Sequence, residues 1–442
     1  MGIFRTIIDF FSNSFDYVYG VPSENFGFLL RLRRRFPPYK NKKNQPIILS
    51  LETGVPKYKT LQSDALQYLL SNYKNNNNIT YQTIVKNIYK NSRIETRYLG
   101  IPDFMENMER AVAEGAGERG NSIGGSRRSS ENEESIFFKN TDPIPIQLRL
   151  NKFKEIALPL VFDVCSRAIN SAINSSNICK NDIRKLIIVS STGFFGPSLD
   201  CNIIKALDLP RTIDRTLIGF MGCAAAINGF RIATDFVNNN PGKCALMVCV
   251  EISSVHTNFN DSINDIVTHS IFSDGVSACI LRAEKSSRHF FYTKKIKPSL
   301  TIIDSFSCLM DDTEDGIKLE ITDNGITCKL SKNLPRYINN GISYVVDKFL
   351  EKHKLIRNDI SFWVIHPGGR RIIEEVQKAL GISEEDTKDS WDILKNYGNM
   401  LSPSIMFVLE KVIMREKIPG EYGLAISFSP GVGTECLLLQ YI

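Results

Sequence analysis

The sequence predicts an α/β protein made of two similar halves, each with a mixed sheet buried on both faces. Leu186 to Ser190 and the wholly apolar run Ala245-Leu-Met-Val-Cys-Val250 read as strands covered on both sides. Segments between them carry apolar residues at helical spacing, as in Ala226, Phe230, Ala233 and Val237. The same helix and strand order recurs in the last third of the chain, which implies duplication.

Taken in order, residues 1–45 form a basic extension, and Pro46-Ile-Ile-Leu-Ser-Leu51 is the first core strand. Asn75 to Asn78 is a loop tip. Residues 106–135 are rich in Gly, Ser, Glu and Arg and bury too little to order themselves, so they read as a disordered surface insertion. Gly115-Ala-Gly117-Glu-Arg-Gly120 within them matches a dinucleotide fingerprint formally, but no strand precedes it and no helix follows. Phe153 to Ile173 has helical spacing, and a helix from Ala224 to Asn238 is stopped by Asn239-Asn-Pro-Gly242. The second half supplies helix Ile342 to His353, strand Phe362 to Ile365, helix Ile372 to Leu380, helix Ser402 to Met414 and strand Leu424 to Phe428. The expected division is 1–45, 46–290 and 291–442.

At 442 residues and 43% apolar, the chain can bury a large core. Its 10 cysteines show no Cys-x-x-Cys pair and no histidines at metal spacing, which points to a reduced, cytoplasmic protein without a metal site. No apolar run approaches the ~20 residues that span a bilayer, and no signal peptide is evident. Of the net charge of +6, residues 1–45 hold most, with eight Lys/Arg against Asp9, Asp16 and Glu24. The nearly neutral remainder argues against a nucleic-acid surface. Met1-Gly2-Ile-Phe-Arg-Thr6 fits the myristoylation pattern, and Arg31, Arg33, Arg34, Arg35, Lys40, Lys42 and Lys43 add a second membrane signal. Peripheral membrane contact is one reading of this leader; a solvated extension is the other.

Three segments carry chemistry. Cys223, in Met221-Gly-Cys-Ala-Ala-Ala, stands where an apolar strand turns into a helix, and helix N-terminal N–H groups stabilise a thiolate. His366 ends the strand Phe362-Trp-Val-Ile and precedes the turn Pro-Gly-Gly. Asn399, in Tyr397-Gly-Asn-Met, precedes a helix. Alone, each has a structural explanation: packing for Cys223, a strand-end histidine for His366, a helix cap for Asn399. Together they are the parts of an acyl-transfer site, namely nucleophile, imidazole and carbonyl-polarising donor.

With Ser191-Thr-Gly and Pro197, Ile271-Phe272-Ser-Asp-Gly-Val and Ser427-Phe-Ser-Pro-Gly431, these segments resemble the type III polyketide synthases, the chalcone synthase-like branch of the thiolase-fold condensing enzymes. The resemblance covers residues 46 to 442 and implies a duplicated thiolase-like fold, layered αβαβα, with the site where the halves meet. It implies a homodimer that loads an acyl-CoA starter on Cys223. His366 and Asn399 then hold the malonyl-CoA carbonyl through decarboxylative condensation, and the chain is cyclised to an alkyl or acyl resorcinol, phloroglucinol or pyrone. No cofactor is required. Phe272 resembles the aromatic at the tunnel mouth, and Ser191 belongs to the pocket wall.

Departures from the plant pattern bear on that pocket. Cys328 replaces a second aromatic gatekeeper, Leu401 a serine, His256 a threonine, and Gly196 a methionine that crosses the dimer. A wider mouth with bulk deeper inside suits an aliphatic starter and two or three extensions. Lys86, Lys90 and Arg93 lie on the helix expected to grip CoA phosphates. The alternatives are a single-condensation β-ketoacyl synthase, either ACP synthase III-like or a fatty acyl elongase, and a silent scaffold. The first uses His-Gln-Ala-Asn in place of His-Pro-Gly-Gly, the elongase needs N-terminal spanning helices, and the scaffold leaves three intact polar groups without use.

Overall fold

The computed structural model describes residues 44–72, 79–101, 144–258, 262–285, 299–323, 325–415 and 418–442. The leader with its acylation and basic signals, the loop tip at 75–78 and the insertion at 106–135 lie outside the described residues.

The first half contains β1 (Asn44–Gly54), β2 (Tyr58–Leu61), α1 (Gln62–Asn72), α2 (Ile79–Lys90), β3 (Thr96–Leu99) and α3 (Ile146–Ser175). It continues with β4 (Ile183–Val189), α4 (Leu199–Ala206), β5 (Asp214–Ile218), α5 (Ala225–Asn239), β6 (Cys244–Ile252), α6 (Ile263–Ile271) and β7 (Asp274–Lys285). The second half contains β8 (Leu300–Leu309), β9 (Ile317–Thr322), β10 (Gly325–Leu330), α7 (Leu334–Lys352), β11 (Ile360–Ile365) and α8 (Arg370–Leu380). It ends with α9 (Lys388–Tyr397), α10 (Ser402–Ile413), β12 (Tyr422–Ser429) and β13 (Gly433–Tyr441).

The duplication is explicit in the pairing. β4 is parallel to β6, which is antiparallel to β7, as β7 is to β1; β11 is parallel to β12, which is antiparallel to β13, as β13 is to β8. Before β4 and before β11 the chain makes the same 3₁₀ turn, in which Asp182 and Asp359 each accept a backbone N–H three residues back. The two sheets are not separate: they join through the Ile47–Thr301 pairing into one nine-stranded sheet, ordered β11-β12-β13-β8-β1-β7-β6-β4-β5. Thr301 Oγ1 reinforces the seam by donating to Pro46 C=O at 2.9 Å.

Strand alternation explains why these runs are apolar throughout. In β6, Ala245, Met247 and Cys249 face a central core with α5 and α10, while Leu246, Val248 and Val250 face an outer core with α3. In β12 and β13, Ala425 and Leu437 join the same central core, and Leu424, Ile426 and Leu438 face α7 and α8. The result is helix, sheet, helix, sheet, helix, with α5 and α10 as the shared middle layer. Helix α3, with 30 residues, is long and apolar enough to cross a membrane by length and composition. Charged residues such as Glu155, Asp163 and Arg167 interrupt it, so it is not the uninterrupted apolar run that the sequence lacks. Its stripe Phe153, Ala157, Val161, Val164, Ala168 and Ala172 packs on the sheet, as a core helix does.

Candidate active site

The middle layer places the reactive groups. Cys223 lies in a 3₁₀ turn, Gly222–Ala224, between β5 and α5, and helix α5 starts only at Ala225. Gly222 has φ +55°, and its N–H donates to Ser191 Oγ at 3.1 Å. Ser427 Oγ donates to Cys223 C=O at 2.9 Å, so the second half pins the turn of the first. Burial pushes the thiol well above its ordinary value, with the nearby Cys328 thiol adding to that, while the Asn399 amide pulls down. Loss of water thus opposes the thiolate that a position just before α5 would stabilise.

His366 continues β11, its N–H donating to Ile426 C=O at 2.9 Å. It is 1% exposed, and burial pulls its pKa down to about 3, so the ring rests neutral and not as imidazolium. Neither ring nitrogen has a hydrogen-bond partner among the described residues. Gly368 leaves room for the ring, since a Cβ there would stand 3.1 Å from His366 Cδ2.

Asn399 is held on both sides of its backbone, donating its N–H to Ile271 C=O at 2.8 Å and accepting from Ser273 N–H at 2.9 Å. This pairs it with Phe272, which closes α6. Leu401, at φ +55°, donates its N–H to Asn399 Oδ1 at 2.8 Å. With that oxygen occupied, the carboxamide must aim Nδ2 at the site, where it donates to Gly368 C=O at 3.1 Å and lies 4.0 Å from Cys223 Sγ. The structure thus brings Cys223 and Asn399 into contact, with His366 adjoining them through Gly368.

A cavity opens beside this cluster, walled by Ser191, His256, Phe272, Cys328 and Leu401 as the sequence predicts, and also by Leu319. His256 Nδ1 accepts Ile326 N–H at 3.2 Å, so Nε2 carries the proton and donates to Thr192 C=O at 2.7 Å. Burial holds His256 down near about 4 and pushes the Cys328 thiol up to about 12. Lys86 and Lys90 are exposed on α2 and do not line the cavity. Arg93 is not on that helix, contrary to expectation: it follows the helix end at φ +61°, pairs with Glu384 at 3.1 Å and stacks on Trp391.

Glu251, not anticipated from sequence, is fully buried behind the nucleophile turn. Its carboxylate accepts from Ser191 N–H, Thr192 N–H and Oγ1–H, and Ser402 Oγ–H at 2.7 to 3.0 Å. A lone carboxylate directly after the apolar run Ala245 to Val250 is the signal that could have found it. No cluster of metal-ligating side chains occurs among the described residues.

Residues 144–285 match the N-terminal domain, and 302–442 the C-terminal domain, of the chalcone and stilbene synthases. The alpha-pyrone synthesis polyketide synthase-like Pks18 of Mycobacterium tuberculosis is 36% identical over 399 residues, 90% of this chain and 91% of that protein. The chain belongs to the chalcone and stilbene synthase family, the type III polyketide synthases. The crystal structure of PKS-I from the brown alga Ectocarpus siliculosus is similar to this type III polyketide synthase at 46% identity and TM-score 0.79, covering 91% of this chain and all of that one. The C-terminal type III domain of Steely1 from Dictyostelium, at 24% identity and TM-score 0.74, shares the fold over 90% of this chain and 99% of that one. The family is one of acyltransferases that condense acyl-CoA with malonyl-CoA, which favours this reading over the single-condensation alternative.

Proposed function

We propose that Cys223 attacks an acyl-CoA starter, forming a thioester as coenzyme A leaves, with neutral His366 accepting the thiol proton. Malonyl-CoA then places its thioester carbonyl between His366 and Asn399 Nδ2, which stabilise the enolate left when CO2 departs. The enolate carbon attacks the Cys223 thioester, and the lengthened chain returns to Cys223 for further rounds. Ring closure gives an alkyl or acyl resorcinol, phloroglucinol or pyrone; the relative whose name records alpha-pyrone synthesis favours the pyrone. The observation that carries this reading is the buried imidazole of His366, unpartnered at both nitrogens among the described residues, beside an oriented amide and a cysteine.

Lys86 and Lys90 are the cations offered to CoA phosphates, while Arg93 is engaged by Glu384 and Trp391. Edge strand β5 exposes Leu217, and Phe194 stacks edge-on to Phe220 next to it, a face that suits a second copy of this chain. Membrane contact of the otherwise cytoplasmic enzyme rests on the leader's sequence, and flotation with anionic liposomes, with and without residues 1–43, checks it. The deciding experiment incubates purified protein with acyl-CoAs of increasing length plus malonyl-CoA and identifies products by mass. Pyrones or resorcinols from aliphatic starters are expected; a single β-ketoacyl product, or preferred turnover of coumaroyl-CoA, contradicts the reading.

A further inference from the structure

The hairpin β9–β10 belongs to neither half of the nine-stranded sheet, so no ladder fixes where it stands. It nevertheless carries Leu319, Ile326, Thr327 and Cys328 onto the cavity wall, with Leu319 directly opposite Cys328. Alternate residues of β10 turn their N–H and C=O away from β9. Side chains, not a strand, meet that outer edge. Asn264 Nδ2 donates to Cys328 C=O at 2.9 Å, Leu330 N–H donates to Asn264 Oδ1 at 3.1 Å, and Ile326 N–H donates to His256 Nδ1. The Asn264 carboxamide therefore offers the donor and acceptor of one peptide unit at strand spacing. It stands in the first turn of α6, whose other end is Phe272, locked to Asn399. One rigid helix thus ties the amide donor at its C-terminal end to the Cys328 wall at its N-terminal end.

We propose that Asn264 is a positioning residue that determines specificity: by fixing β10 at Cys328 and Leu330 it sets the standing of the Cys328 wall and so limits the acyl chain the cavity accepts. The inference rests on the polyketide synthase reading of the same site. Without the side chain, a carbonyl and an N–H beside the cavity lose their partners and are best satisfied by water, which requires the hairpin to move outward.

The test uses Asn264→Ala, which removes both bonds, and Asn264→Asp, which keeps the acceptor for Leu330 but sets a carboxylate oxygen against Cys328 C=O. Hexanoyl-CoA and lauroyl-CoA compete for the full chain with malonyl-CoA. The lauroyl to hexanoyl ratio of kcat/KM should rise about fivefold in Asn264→Asp, the scale of one lost hydrogen bond, and at least as much in Asn264→Ala. Ser343→Ala, which breaks a side-chain bond from α7 to Ala379 C=O that does not involve the cavity wall, should leave the ratio unchanged. A ratio within about twofold of wild type in the folded variants overturns the inference; if Asn264→Ala does not fold, Asn264→Asp decides. Absence of any condensation product from wild type would overturn the function instead. Alkylation of Cys328 by a maleimide, in a Cys223→Ala background, then decides: faster in the Asn264 variants if the wall is released, unchanged if it is not.

Discussion

Neither nitrogen of the buried His366 ring meets a partner among the described residues, and each unpaired buried polar group costs about 1–3 kcal/mol. A ligand that arrives with a carbonyl oxygen or a proton to share offsets that cost. Asn399 differs, since Leu401 N–H has fixed its orientation in advance, so the amide loses little entropy on meeting a substrate oxygen. The roles should separate in variants. Cys223→Ala is expected to abolish acyl loading, read by intact mass after incubation with starter. Asn399→Ala should still load but lose ~10²- to 10³-fold in condensation, the range for removing one such donor. Label retained by Cys223→Ala at another single residue would displace Cys223 as nucleophile.

At the scale of elements, the turns holding these residues are set by glycines at close approaches. Gly398, at φ +69°, leaves no room for a Cβ, which would stand 2.9 Å from Ile271 C=O and 3.0 Å from the Arg97 side chain. Gly398→Ala should push Asn399 off the Ile271 and Ser273 pairings and slow condensation by ~10²-fold, as misplacement of about 1 Å does, while starter loading changes less. Equal losses in both half-reactions would refute it. Such turns were readable in the sequence because each sits at the end of an apolar run: His366 after β11, Cys223 after β5, Asn399 before α10. The long-range pairings were not. That Glu251 gathers Ser191, Thr192 and Ser402, or that Asn264 clamps β10, depends on segments distant in the chain meeting in space. Arg93 was misplaced because the basic spacing Lys86, Lys90, Arg93 fits a helix that in fact ends at Lys90. The joint between the two sheets escaped for the same reason, since one residue pair at Ile47 and Thr301 leaves no periodic trace.

The molecule as a whole buries several ionisable groups, and their linkage contributes to its response to pH. Burial pulls His256, His269 and His366 from 6.5 to about 4, about 3 and about 3. Below 6.5 the unfolded chain binds protons at these sites that the folded protein refuses, so their contribution is present above that pH and is lost as pH falls. Glu251 and Asp274 act oppositely: burial pushes them from 4.5 and 3.8 up to about 7 and about 6. They stay protonated in the fold where the unfolded chain has ionised, so their contribution is full at low pH and is lost as pH rises through the folded values. Each proton of difference changes stability by about 1.4 kcal/mol per pH unit. Between about 4.5 and 6, three histidines are opposed by Glu251 and Asp274, and burial raises the Asp389 and Glu410 carboxyls as well, so stability should climb with pH by no more than about one proton's worth per unit. Nearer 7 the histidine difference fades while Glu251 ionises, so the curve should flatten. Denaturant unfolding across this range checks the sign, and a variant such as His256→Asn, with one titrating histidine fewer, should level the slope. Stability that instead declines from 4.5 to 6 would mean that Glu251 and Asp274 govern the balance.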